Sequence, residues 1–296
     1  MTPQELDERL AAAIPIVRAA GELALRFFRD RGSLAIEHKG QQDLVSIADR
    51  AVEDLLRERL AAAFPGDDVL GEEAGGAGTA DRTWVLDPID GTFNFLKGVP
   101  CWGVVAAFVV DGQIVIGLTY DPVHDEMFTA RRGGGTFRNR EPVRVSGNRG
   151  VDTSCLALAY TFKQSREAYG ALVDGALKLG FEHRRCGSTA IQLCWVADGR
   201  CDAFITQYCS SWDCLAGLIL VEEAGGLASD FIADHGLLGK GGVGKSAVAA
   251  ATDEKLLACV GGSADRLSTL RRAVDDNRRT QAAKVPTRPI LPPPED

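Results

Sequence analysis

The stretch Trp84-Val85-Leu86-Asp87-Pro88-Ile89-Asp90-Gly91-Thr92-Phe93-Asn94-Phe95 decides the reading of this chain. A short apolar run, strand-like in character, stops at two carboxylates, and Gly91-Thr92 follows at once. A Gly-Thr entry to a helix offers backbone N–H groups that have no acceptor inside the helix, at the positive end of its dipole. Both features suit a phosphate. A hard divalent cation such as Mg²⁺ takes oxygen ligands from one or two carboxylates and completes its shell with water and substrate phosphate. Two aspartates and a phosphate cradle in so short a stretch therefore point to metal-assisted phosphate chemistry. Taken alone, Asp-Pro and Asp-Gly also fit solvated turn residues.

Two other acidic positions are weak singly. Glu72 and Glu73 end another apolar segment about fifteen residues upstream, where a Glu pair before a glycine-rich loop reads as a solvated rim. Asp213 follows Trp212 at the start of a helical run, where its charge complements the helix dipole.

Around these positions the pattern is mixed. Residues 5–29 recur with helical spacing, and Pro15 inside them predicts a kink. A strand is expected at 33–37, then a polar turn, Lys39-Gly40-Gln41-Gln42-Asp43. A second helix runs from Ser46 as N-cap to about Ala63. Val104–Val110 and Ile114–Tyr120 flank Asp111-Gly112, a strong hairpin signal, and a second hairpin is expected around Gly133-Gly134-Gly135. From about 154 strands and helices alternate. Strands are expected at 155–159, 202–206 and 247–251, and helices at 166–179, 188–197, 212–224, 253–257 and 263–272. Hairpins in one half and alternation in the other predict a layered α/β protein. The expected organisation is one domain over 1–276, with a metal-site half at about 1–150, an α/β half at about 151–276, and a Pro-rich disordered tail at 277–296.

Composition excludes several classes. The net charge of −8 argues against a general nucleic-acid-binding surface and favours a cationic or metal-bridged ligand. No apolar run approaches the roughly 20 residues of a membrane span. The first residues lack a signal-peptide pattern, so the expected location is the cytoplasm. The eight cysteines form no Cys-x-x-Cys pair and read as reduced, buried thiols; with only four scattered histidines, a structural zinc site is not expected.

Taken together, Gly71-Glu72-Glu73, Asp87-Pro88-Ile89-Asp90-Gly91-Thr92-Phe93-Asn94-Phe95, Trp212-Asp213-Cys214-Leu215-Ala216-Gly217 and Glu223-Ala224-Gly225-Gly226 resemble the inositol monophosphatase family of Mg²⁺-dependent, lithium-sensitive phosphatases. The resemblance covers roughly residues 5–270. It implies an αβαβα five-layer sandwich of the inositol monophosphatase/fructose-1,6-bisphosphatase type, usually a homodimer. The implied reaction is hydrolysis of a small phosphate monoester, with a metal-activated water as nucleophile. Carried over by position, Glu72, Asp87, Asp90, Asp213 and the Ile89 carbonyl would hold two or three Mg²⁺. Thr92, helped by Asp49, would orient the water, with Glu72 also in the catalytic set, and the Gly91 and Thr92 amides would bind phosphate. Lys39 and Asp43 would lie near the site, although Lys39 stands one residue closer to Asp43 than the family pattern has it.

The substrate wall matches least. Where inositol-selective members have a glutamate seven residues before the aspartate of the second long motif, this chain has Thr206, followed by Gln207. Gly187-Ser188-Thr189 resembles the family's other wall segment, while Ser188 and Thr189 also suit helix capping. Relatives with the same metal motifs hydrolyse histidinol phosphate, fructose 1,6-bisphosphate or nucleotide bisphosphates, so the sugar-like partner stays open between these and an inositol-type polyol phosphate.

Two rival readings come from other classes. Gly239-Lys240-Gly241-Gly242-Val243-Gly244-Lys245-Ser246 matches the P-loop pattern of an NTPase, but the residues before it make a poor strand. The locally basic set Arg131, Arg132, Arg138, Arg140, Arg144 and Arg149 would suit a non-catalytic, RNA-associated role, or simply a solvated hairpin.

Overall fold

The computed structural model describes residues 1–31, 36–40, 43–76, 78, 81–147, 153–163, 165–232, 236–237 and 248–251, with backbone alone at 36–40, 43–46 and 248–250. The expected helices at 253–257 and 263–272, the tail at 277–296 and the P-loop-like segment 239–246 lie outside the described residues.

The apolar run of the deciding stretch belongs to β4 (Arg82–Asp90), buried along almost its whole length. Successive strand side chains point to opposite faces. Val85 enters one core, whereas Trp84 and Leu86 enter another. A strand that is apolar on both faces must be covered on both sides, and this requirement builds the layers. β4 lies second in a seven-stranded sheet with β3 (Asp68–Gly71), β5 (Gly103–Val110), β6 (Gln113–Asp121), β7 (Glu126–Arg131), β8 (Gly135–Arg138) and β9 (Glu141–Val143), in chain order. Only the β3/β4 pair is parallel; the others are antiparallel. The β5–β6 turn is Asp111-Gly112, both with positive φ, as the Asp-Gly signal predicts.

On one face lie α1 (Pro3–Arg29) and α2 (Ile47–Ala63). α1 starts with a capping box between Thr2 and Glu5 and runs through Pro15 as one element. Ala13, Ile16, Val17, Ala20 and Ala24 are buried along it, so packing on the sheet holds the helix where proline removes a backbone bond. On the other face lie α5 (Thr189–Ala197) and α6 (Ser211–Glu223), apolar nearly all round because a second sheet covers them. That sheet has the order β11 (Glu182–Arg184), β10 (Cys155–Leu158), β12 (Ala203–Thr206), β14 (Val248–Ala251), β13 (Leu227–Ala228). Its outer face carries α4 (Arg166–Leu179) through Ala176, Tyr169, Leu172 and Val173. The result is the expected αβαβα five-layer arrangement.

The polar turn expected at 39–43 is instead part of an antiparallel hairpin, β1 (Ile36–Gly40) and β2 (Asp43–Ser46). The short strands β9, β11 and β13 carry no periodicity that a sequence reading could detect.

Candidate metal centre

Three backbone decisions bring the acidic residues together. β3 runs parallel to β4 with Gly71 level with Leu86, so Glu72 comes level with Asp87 just where the β3–β4 pairing ends. The Glu72 amide donates to the Leu86 carbonyl at 3.2 Å. The β4–β5 ladder slips between Asp87 and Asp90, which turns the strand end out of regular pairing. Gly91 then adopts a left-handed conformation (φ 96°) and caps α3 (Thr92–Lys97). A Cβ there would press on the Cys101 carbonyl and on Ser188 and Trp102, so glycine suits both the dihedral and the space.

Asp213 sits in the first turn of α6, where its carboxylate accepts the Ser210 amide at 2.9 Å in a capping box. Carboxylate oxygens of Asp87, Asp90 and Asp213 all lie within 4.8 Å of one another. Asp87 and Asp90 are buried and Asp213 is half-buried. At an effective dielectric near 20, each such pair of charges repels by roughly 3 kcal/mol. Were all three ionised, the three pairs would rival the whole stability of a domain, about 5–15 kcal/mol, so in the absence of a cation the group relieves the repulsion by holding protons.

The protonation equilibria show this strain. Burial, then Glu72, Asp90, Asp213 and Asp49, push Asp87 well above the usual carboxylate range. Asp90 is raised to about 7 by burial and by Asp213, against donors from Ser188, Ala190 and Thr189. Asp213 is also raised by burial, against the Ser210 amide, the Cys209 thiol and the Lys163 charge. Crowded, buried, all-oxygen donors are what a hard divalent cation satisfies, so these residues fit Mg²⁺. Glu72 is not among the three oxygens within that distance; it reaches the cluster through its charge on Asp87.

The remaining expected residues fall around this group. The Thr92 hydroxyl lies 3.4 Å from Asp49 Oδ1 and 3.1 Å from the Ile89 carbonyl. Asp49 is buried in the first turn of α2. The Ser188 hydroxyl donates to Asp90 Oδ2 while accepting the Ile191 amide, so Ser188 is the N-cap of α5 and its side chain is turned towards Asp90. The Thr189 and Ala190 amides also donate to Asp90, at 3.3 and 2.7 Å. Asp90 therefore ties the start of α5 to the end of β4. Gly187 lies against the Asn94 side chain. Thr206 is buried, with its hydroxyl donating to the Tyr208 carbonyl at 3.0 Å, and Gln207 reaches the Ala168 carbonyl at 3.5 Å. Lys39 and Asp43 stand on the strands of the β1–β2 hairpin, and their side chains lie outside the described residues.

Asn94 had no assigned role in the sequence reading. Its Nδ2 donates to the Cys101 and Cys186 carbonyls, each at 2.7 Å, and so pins α3 to the loop before α5. Its place inside the motif was the available signal.

The family model described as "Inositol monophosphatase family" matches residues 5–263. The chain belongs to the inositol monophosphatase family. It is 34% identical over 242 residues to a Haemophilus influenzae protein named Nus factor SuhB, covering 80% of this chain and 91% of that one. It is 38% identical over 229 residues to an inositol-1-monophosphatase of Mesorhizobium japonicum, covering 76% of this chain and 86% of that one. Among solved structures, the extragenic suppressor protein suhB of Bartonella henselae superposes with a TM-score of 0.78 at 29% identity, covering 86% of this chain and 99% of that one. Membership of the inositol monophosphatase family supports a phosphatase, and the buried acidic group is one that could hold a metal. No described helix is long and apolar enough to cross a membrane.

The basic stretch looks different in three dimensions. Arg131 pairs with Asp7 at 2.5 Å, Arg132 with Glu222 at 2.6 Å, and Arg138 with Asp198 at 2.9 Å. Each of these guanidinium groups meets a carboxylate of the chain itself. Arg149 lies outside the described residues.

Proposed function

We propose that this protein hydrolyses a small phosphate monoester of the inositol 1-phosphate type, with two or three Mg²⁺ held by Glu72, Asp87, Asp90, Asp213 and the Ile89 carbonyl. The observation that carries the reading is the buried group of Asp87, Asp90 and Asp213, whose mutual repulsion calls for a cation. When bound, Mg²⁺ neutralises the phosphate, lowers the pKa of a coordinated water and stabilises the leaving oxygen.

The chain's own residues do the rest. Thr92 Oγ1 has one proton, directed at Asp49 Oδ1 or the Ile89 carbonyl. Its lone pairs are then left to accept from an attacking water, and the buried Asp49 carboxylate can take up the proton that Thr92 passes on. The Gly91 and Thr92 amides, at the start of α3, face developing negative charge on the phosphate. Gly187, Ser188 and Thr189 form one side of the substrate wall, with Ser188 acting through Asp90. At the family's glutamate position Thr206 is buried with its hydroxyl turned to the Tyr208 carbonyl, which leaves the opposite wall to Gln207 and leaves room for polyol phosphates other than inositol phosphate and for histidinol phosphate. The protein works as a homodimer in the cytoplasm.

The test is a phosphate-release screen with Mg²⁺ over inositol 1-phosphate, histidinol phosphate, fructose 1,6-bisphosphate, glycerol 2-phosphate and adenosine 3′,5′-bisphosphate. Turnover should be fastest on a monoester of a neutral polyol; turnover of none of the five would remove the reading.

A second reading is a Nus-factor role, and the relatives' printed names support it. RNA binding at low salt that survives Asp90→Asn would favour it. The self-paired arginines at 131, 132 and 138 weigh against that stretch as the contact surface.

A further inference from the structure

Glu53 is buried at 1% exposure on the apolar side of α2, among Val52, Leu56 and Leu60. A carboxylate in such a place is costly unless it is paired and hydrogen-bonded. Glu53 is both. Arg57, one helical turn on, donates from Nε to Glu53 Oε1 at 2.8 Å. The Glu73 amide donates to Glu53 Oε2 at 2.8 Å and the Ala74 amide to Oε1 at 3.0 Å. Arg57 also reaches past Glu53, to the Val69 carbonyl at 3.3 Å and to the Gly75 carbonyl.

These contacts enclose the turn that carries Glu72. Before Glu72, β3 is fixed to β4. After it, the next two amides bind Glu53 and the following carbonyl binds Arg57. The Gly71 amide closes the turn onto the Gly75 carbonyl at 3.0 Å. A Cβ at Gly71 would overlap Glu53 Oε1, so the carboxylate comes this close because residue 71 is glycine. Asp49, Glu53 and Arg57 recur every four residues and share one face of α2. One rigid helix thus holds Thr92, through Asp49, and the Glu72 turn, through Glu53.

We infer that Glu53 and Arg57 are positioning residues that act through Glu72, fixing its carboxylate against Asp87 so that the metal centre is formed before substrate arrives. The inference rests on the proposed reading of Glu72 as a ligand. Outer partners that orient metal ligands typically change affinity by about 10–100-fold when removed. In Glu53→Gln the amide end places a donor where two backbone amides already donate, and Arg57 loses its counter-charge.

The experiment measures Mn²⁺ binding to the full chain from the electron paramagnetic resonance of free Mn²⁺, with thermal melts as the folding control. Glu53→Gln should weaken binding about tenfold or more, close to the effect of Glu72→Gln. The double variant Glu53→Gln/Glu72→Gln should bind within about twofold of Glu72→Gln alone, because residues that act as one unit are not additive. A purely structural role for Glu53 would make the two effects multiply, and that result would overturn the inference. If Glu53→Gln does not fold, Arg57→Gln carries the test: weaker Mn²⁺ binding supports the inference and wild-type binding overturns it. Wild-type Mn²⁺ affinity in both Glu53→Gln and Arg57→Gln, with Asp87→Asn impaired, would sink the inference and leave the metal centre standing. Wild-type affinity in Asp87→Asn would remove the metal-centre reading and this inference with it.

Discussion

Two charged regions of this protein are built in opposite ways. Around Asp90, three carboxylates crowd together, two of them buried; burial and neighbouring carboxylates raise the protonation of Asp87 and Asp90, and burial raises that of Asp213. Around Asp198, two guanidinium groups share carboxylates: Asp198, buried at 2% side-chain exposure, pairs with both Arg138 and Arg200, and both arginines also reach Glu126. The first region keeps like charges together at a cost; the second cancels its charges within the chain. A domain maintains a cost of the first kind where something from outside completes it, so the contrast marks the acidic group as functional and the arginine group as structural.

The contrast can be broken by substitution. The largest effect expected is in Asp90→Asn, which should lower phosphate release by about 10²–10³-fold or more while the melt stays cooperative. Unchanged turnover in a steady-state assay would place the chemistry elsewhere. Next, Mg²⁺ at about 100 times its Kd should stabilise the wild type by about 2.7 kcal/mol. Differential scanning calorimetry would show this as a rise of several degrees in Tm, reversed by chelation. Asp87→Asn should lose the rise and, relieved of repulsion, melt no lower than the metal-free wild type. A metal-free melt clearly lower than wild type would show that the repulsion argument is wrong.

On the other side of the comparison, Asp198→Ala should cost about 3 kcal/mol of stability in urea unfolding, because two arginines lose a buried partner. Its Mg²⁺ response should stay at the wild-type size. The smallest effect expected is in Arg132→Ala, whose pair with Glu222 is partly exposed. A surface pair of this kind contributes roughly 0–1 kcal/mol, and kcat/KM should not move. A loss of activity there would show that the hairpin is coupled to the site.

Much of this was legible in the residues themselves. The apolar, strand-like run before Asp87, the Asp111-Gly112 turn and the limits of α4 follow from local pattern and turn chemistry, and all three hold in the structure. Of the β1–β2 hairpin, the pattern predicts a strand at 33–37 and a turn at 39–43, whereas the structure continues β1 to Gly40 and adds β2. The connecting residues are polar, and β2 is four residues long before the chain enters α2, too short for alternation to register. The three-residue strand β11 was invisible for the same reason.

Within the site, residue types pointed to the acidic group but not to its supports. Ser188 fits a substrate wall or a helix cap equally well by sequence; only the approach of α5 to β4 turns its hydroxyl to Asp90. Glu53 breaks the apolar stripe of α2, a signal that was present, yet its partners at Glu73 and Ala74 are set by tertiary packing. Local chemistry names the groups that react, and long-range packing decides which groups hold them.

The central claim is that Asp87, Asp90 and Asp213 form a metal centre. Anomalous diffraction from crystals grown with Mn²⁺ tests it most directly. A strong anomalous peak is expected in contact with oxygens of all three carboxylates, at roughly 2.0–2.3 Å, and it should vanish in Asp90→Asn. A map with no peak there, and with the carboxyl groups hydrogen-bonded to one another at saturating Mn²⁺, would contradict that claim.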